Sequence, residues 1–413
     1  MSMPSRREVL LGATSLAAGL AVAGCQAPTT DDVTTQEPER TASDKADVTT
    51  SASADLPFTL NGVPCEGNVI QATRSEREAA LANEWTFGGD YAQIGSFPID
   101  EKTVFGSATQ TPDDVISYTA ALIGPDGYEP LEEPQLEEPC FEPQDGTGTA
   151  DLLVWRCAEL LNVPSAGTDN WQLRAWDATT GTTRVICSAE DLNGTRQTPL
   201  LDAELVPVTD GRHVFFASNL LSGETWVPSV ICCELNESAQ PTVIGDGAYP
   251  AAVDDGVLWA ALDESERGLC TVLRHRNGQQ SQDVFTIEAD GRWGISDVWA
   301  CGDIRAVAFS AADSSQGSYV GIWRGDFESL ACWVATDAPR VIGSLNQRWF
   351  AWGAGSESHN TEMFALNLGS CEVTYLGDAP GYSRPTVAQE CDAVIVPVTH
   401  GTGAVSFRVG TLG

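Results

Sequence analysis

One stretch of this chain carries a complete structural period. It runs from Ala306-Val307-Ala308-Phe309 through Tyr319-Val320-Gly321-Ile322-Trp323-Arg324 and Trp333-Val334 to Asp337-Ala338. In order, these are a continuous apolar run, an alternating strand, a tight turn, a second strand, and an Asp followed by a small residue. The apolar run recurs at 102–105, 152–155, 213–216, 256–259, 348–351 and 393–396. The centres are spaced by about 42 to 61 residues, the length of a four-strand propeller blade. The hairpin recurs at 172–177 with 184–186 and at 362–367 with 373–375, and the closing Asp recurs in Asp246-Gly247, Asp290-Gly291 and Asp378-Ala379. Three features repeating in one order predict an all-β chain, a β-propeller of four-stranded antiparallel blades.

Seven runs predict seven blades, with six or eight left open because the first, about 90–134, shows the period least clearly. The last run is followed by one further strand, from Ala404 to Val409, so the final blade lacks its outermost strand. Closure by an N-terminal strand would hide the exposed sheet edges. Val69-Ile70-Gln71-Ala72 is the segment expected to supply it, and Ser75 to Trp85 reads as helical. Connecting the first two blades, 129–139 reads as a solvated acidic and proline-rich spacer.

Of the 413 residues, 22 are Lys or Arg and 58 are Asp or Glu, a formal net charge of −36. Such a surface repels phosphate backbones and excludes nucleic acid as a partner. It repels anionic lipid headgroups as well, so membrane attachment through a basic face is excluded. Twelve cysteines occur, with no CxxC or zinc-like spacing. Outside the cytoplasm they are expected to form two to four disulfides, with partners unassigned. Side chains of the vicinal Cys232-Cys233 would face opposite sides of a strand.

Ser5-Arg6-Arg7-Glu8-Val9-Leu10 resembles the twin-arginine export signal, with Arg6 and Arg7 as its defining pair. The apolar run from Leu10 to Ala23 is too short for a stop-transfer helix and fits a signal-peptide core. It ends in Val22-Ala23-Gly24-Cys25, which resembles the lipobox of bacterial lipoproteins. That resemblance implies lipidation of Cys25, handling by the twin-arginine translocase, and a lipid anchor on the outer face of the cytoplasmic membrane. Residues 1–24 are then signal peptide, 25–56 the lipidated Cys and a flexible tether poor in large apolar side chains, and 57–413 the propeller. Trp176-Asp177-Ala178-Thr179-Thr180-Gly181 resembles the strand-turn-strand phrase of quinoprotein-like propellers, and residues 140–413 resemble the TolB-like group in arrangement. The regular Trp and Gly positions of quinoprotein blades do not recur, so no cofactor is expected.

Loops from the outer strand of one blade to the inner strand of the next are expected to open on a central funnel. They carry Tyr249, Arg292 with Trp293, Arg340, and Tyr382 with Arg384. Arg forks match carboxylates and aromatic rings stack on sugar faces, so these residues are the candidate ligand site. The recurring Asp is expected to set turns and not to hold metal. Asp145 to Asp151 has alternating oxygen ligands like a calcium loop but lacks the distal bidentate Glu. Four His and no HExxH, GxSxG or P-loop phrase leave no catalytic residue to name. The sequence therefore predicts an envelope lipoprotein whose propeller binds a protein, peptide or glycan. The alternative is a secreted propeller enzyme, a carboxylate- or metal-dependent hydrolase or lyase acting on polysaccharide or peptide.

Overall fold

The structure is a computed structural model. It describes residues 47–51, 56–75, 78–89, 92–109, 118–133, 141–159, 170–195, 206–235, 240–262, 269–289, 291–355, 361–379, 383–399 and 405–413. The export signal, Cys25, Tyr382, His359 and His400 lie outside the described residues.

The protein is a β-propeller. Among the described residues its strands form seven antiparallel sets of four, called here the first to seventh sheets. Every apolar run of the sequence period is the second strand of a set, counted from the inside. These second strands are Val104–Ala108, Leu152–Glu159, His213–Ser222, Gly256–Leu262, Ile304–Ala311, Trp349–Gly355 and Ala393–Thr399. Their burial explains the pattern. Each lies between two neighbouring sheets and is covered on both faces, so no polar alternation survives. The hairpins read from sequence are third and outer strands, such as Trp171–Asp177 with Thr182–Ser188.

Seven inner strands run in a closed ring: Gln93–Pro98, Phe141–Gly148, Val208–Thr209, the second half of Thr242–Val253, Trp293–Cys301, Arg340–Leu345 and Thr386–Val387. Each touches the next, and the seventh touches the first. The strand Thr242–Val253 serves two sheets, pairing with Thr225–Glu234 in the third and with Gly256–Leu262 in the fourth.

The seventh sheet is closed by an N-terminal strand, but by a different one from that expected. Ala82–Gly88 pairs antiparallel with Val405–Thr411, and residues 78–85 are not helical. Local composition favours a helix there. The free edge of Val405–Thr411 overrides it, since a strand edge leaves a row of unpaired amides and carbonyls. Rings fix the register: Phe87 stacks on Phe407 at 5.2 Å, and Trp85 on Phe87 at 5.3 Å. Arg408 then locks the junction. Its guanidinium donates to both Glu84 carboxylate oxygens at 3.1 and 2.8 Å and to Glu78 at 3.1 Å. It also donates to the Ala79 and Leu376 carbonyls.

Val69–Thr73 instead joins the outer edge of the fifth sheet, parallel to Ser329–Thr336. Asp47–Ser51 pairs with it, so the folded chain reaches into the segment expected to be tether. Between them, Phe58–Leu60 extends the fourth sheet. Phe58 is a wedge between the fourth and fifth sheets, with ring centroids of Phe309 at 4.8 Å, Trp293 at 5.4 Å and Trp333 at 6.0 Å.

A further expectation changes. Glu132 is not part of a solvated spacer. It accepts from Arg174 at 2.5 Å, with both side chains largely buried, and from the Ala120 amide. The ten described cysteines stand as thiols, with none in a disulfide. Cys232 and Cys233 do face opposite interfaces, toward the fourth and second sheets respectively.

The Arg408 hub gives a direct expectation. Arg408→Leu strands two carboxylates and two carbonyls at the ring junction, costing about 2–3 kcal/mol in urea unfolding at neutral pH. A loss below about 0.5 kcal/mol, within the range of ordinary surface changes, would show that the hub does not hold the junction.

Candidate functional site

The ring encloses a cavity of about 1350 Å³. Its walls are inner strands, and much of its rim is the turns from inner to second strands. These include Gly148–Asp151 in the second sheet, Asp210–His213 in the third and Asp254–Gly256 in the fourth. Such turns are short.

Of the residues expected at the funnel, Tyr249 and Arg384 line the cavity. Tyr249 sits where Thr242–Val253 crosses between sheets, at a register shift, with φ of 56°. An aromatic residue in the left-handed region is uncommon, and such outliers gather at binding sites. Arg384 donates to Asp145 at 3.4 Å, joining the seventh sheet to the second across the inner strand of the first. Beside it Gln389 donates to the Thr147 hydroxyl at 2.7 Å. The alternating oxygens of 145–151 are thus an inner strand and its turn, with Asp145 engaged by Arg384.

Trp293 belongs elsewhere. It is 3% exposed and packed under Phe58, because the N-terminal segment covers the interface it would have left open. Arg292 is exposed, and its carbonyl accepts the Ala312 amide. Arg340 opens the inner strand of the sixth sheet, half-buried and outside the cavity lining. Two of the recurring Asp residues engage neighbouring side chains. Asp246 accepts from Ser229 at 3.3 Å, and Asp378 accepts from Tyr375 at 2.6 Å and pairs with Arg74 at 2.8 Å. Burial and this hydrogen bond push the Tyr375 hydroxyl upward.

The cavity also holds groups the sequence reading passed over. Trp299, on the inner strand of the fifth sheet, lines it and meets Phe350 edge-on at 5.5 Å. Arg276 reaches the wall and donates to neutral acceptors, the carbonyls of Gly278 and Ile244 and the amide oxygen of Gln279. Asp255 accepts from Asn277 at 3.1 Å and faces His275 at 3.1 Å. At the third sheet's turn, Asp210 accepts from the amides of Arg212 and His213 at 2.8 and 2.7 Å, and its second oxygen meets His213 Nδ1 at 2.9 Å. Burial pushes the Asp210 carboxyl up, but these contacts outweigh it and hold it below the usual carboxylate range. Across the lining, seven carboxylates stand against three guanidiniums, so the cavity interior is acidic as the whole chain is.

No protein-family profile and no curated protein matches this sequence. Among solved structures the fold is similar to that of a prolyl endopeptidase, with a TM-score of 0.51 and 12% identity over 78% of this chain and 48% of that one. The chain therefore spans about half the length of that relative. An oligogalacturonate lyase in complex with manganese is also similar (TM-score 0.48, 10% identity, 88% of this chain and 98% of that one). So is TolB from Acinetobacter baumannii (TM-score 0.38, 12% identity, 66% and 80%). At these identities the likeness concerns the propeller fold and not an activity.

Because the Asp210 carboxyl is held low, its contribution to stability is complete above its unfolded pKa of about 4 and is lost as pH falls through the lower folded value. Asp210→Asn is expected to cost about 1 kcal/mol at pH 7 and progressively less as pH falls below about 4, read from urea midpoints. A cost independent of pH would assign the effect to shape and not to charge.

Proposed function

We propose that this protein is a lipid-tethered binding module of the bacterial cell envelope, holding an extended, basic peptide segment of an envelope protein in the cavity of its propeller. The cavity carries the reading. At about 1350 Å³ it exceeds the 300–1,000 Å³ typical of small-molecule sites and has room for a chain. Tyr249 and Trp299 line it and offer aromatic surface to such a ligand. The surplus of carboxylates favours Lys or Arg side chains over acidic groups and focuses that preference inside a low-dielectric ring. Support for the tether comes from the sequence alone, from Arg6 and Arg7 in the export signal and Cys25 in the lipobox.

Fluorescence anisotropy tests the proposal, using labelled dodecapeptides of Lys, Ser and Gly, their Glu counterparts, and a neutral oligosaccharide. The basic peptide is expected to bind, several-fold more weakly at 300 than at 50 mM salt. Trp299→Ala should weaken it about tenfold, the equivalent of about 1.4 kcal/mol of lost ring contact. Equal binding of the acidic peptides, or binding of the oligosaccharide alone, would overturn the reading. Cleavage of the peptide, seen by mass, would replace a binding module with a hydrolase.

A further inference from the structure

Cys187 lies on the outer strand of the second sheet and Cys233 on the third strand of the third sheet. Both are buried, at 1% and 2% exposure, in one apolar cluster with Leu173, Phe216 and Ile231. Strand register selects this pair. Cys233 points toward the second sheet, whereas its neighbour Cys232 points to the opposite interface, beside Phe215 and Trp259. The two thiols belong to that one buried cluster at the interface, and Cys187 donates to the Ser188 carbonyl at 3.6 Å.

We infer that Cys187 and Cys233 close into a disulfide between the second and third sheets when the chain folds under oxidising conditions, and remain a sealed dithiol when it folds before meeting an oxidant. The oxidant is a small disulfide or a disulfide-exchange catalyst. One thiol loses its proton and attacks the disulfide, expelling a thiolate. The second thiol loses its proton and attacks the mixed disulfide, expelling the other. Two electrons pass to the oxidant and one S–S bond joins the sheets.

Timing follows from burial. Contact with Cys233 and burial push the Cys187 thiol far above its ordinary range. Only a thiolate attacks, so the assembled interface exchanges slowly. The bond therefore forms before the interface between the two sheets is sealed. In protein recovered from cells, the state of this pair would record whether folding preceded export.

The test uses the full chain, reduced and unfolded in urea. One portion is refolded into oxidised and reduced glutathione and one into dithiothreitol. A third is refolded in dithiothreitol, exchanged out of it, and then given the same glutathione for the same time. After alkylation with N-ethylmaleimide in denaturant and tryptic digestion, mass spectrometry seeks peptide 185–196 joined to peptide 213–267. The linked pair, two hydrogens lighter than its parts, is expected in the first portion, is absent from the second, and is about tenfold scarcer in the third. Cys232→Ala should keep the link and Cys187→Ala should lose it. If either variant fails to fold, fragmentation of the wild-type peptide places the bond instead. Linked protein should melt about 5 °C higher than the dithiol, as expected for closing a loop of this length in a chain of this size. Alkylation of both cysteines after oxidative refolding, or a bond from Cys187 to any other cysteine, would overturn the inference. Equal linkage in the first and third portions would overturn the sealed dithiol.

Discussion

A ring of sheets has one joint, and everything else in this protein depends on how that joint is closed. Val405–Thr411 ends the chain's last sheet with one side unpaired. An unpaired strand is a template for pairing with another molecule, and a ring with an open edge has no fixed circumference. Ala82–Gly88 supplies the missing side, and Arg408 binds both carboxylates and carbonyls there. On the inside of the same joint, Arg384 and Gln389 reach across the first sheet to Asp145 and Thr147. Outer strand and inner bridges together fix the ring, and the fixed ring defines the cavity.

Much of the fold was legible because its period comes from burial. A second strand covered on both faces is apolar at most of its positions, and that holds in each sheet whatever its neighbours in sequence. Trp349–Gly355 and Ala393–Thr399 announce themselves in this way. The closing strand was not legible for the opposite reason. Ala82 and Glu84 favour a helix locally, and their strand state is set by an edge more than three hundred residues away. The parallel docking of Val69–Thr73 is equally non-local.

The cavity was half legible. Tyr249 and Arg384 sit in connections between sheets, where the repeat pointed. Trp293 lies in the same kind of connection, yet the N-terminal segment places Phe58 against it and removes it from any ligand's reach. Trp299 escaped notice because an aromatic residue on an inner strand looks like core in the sequence. Asp210 and His213 escaped because a turn closed by Asp looks the same whether it faces bulk water or a ring's axis. In each case the deciding fact is which element packs across the residue.

Native-state hydrogen exchange across the joint tests the closed ring most directly. If Ala82–Gly88 is an integral strand of the seventh sheet, its bonded amides exchange at the slow, globally limited rate of the Val405–Thr411 amides, and both accelerate together as urea is added. Fast exchange of residues 82–88, with Val405–Thr411 remaining protected, would mean the ring is held by something other than this strand. The account of the cavity built on it would then fail.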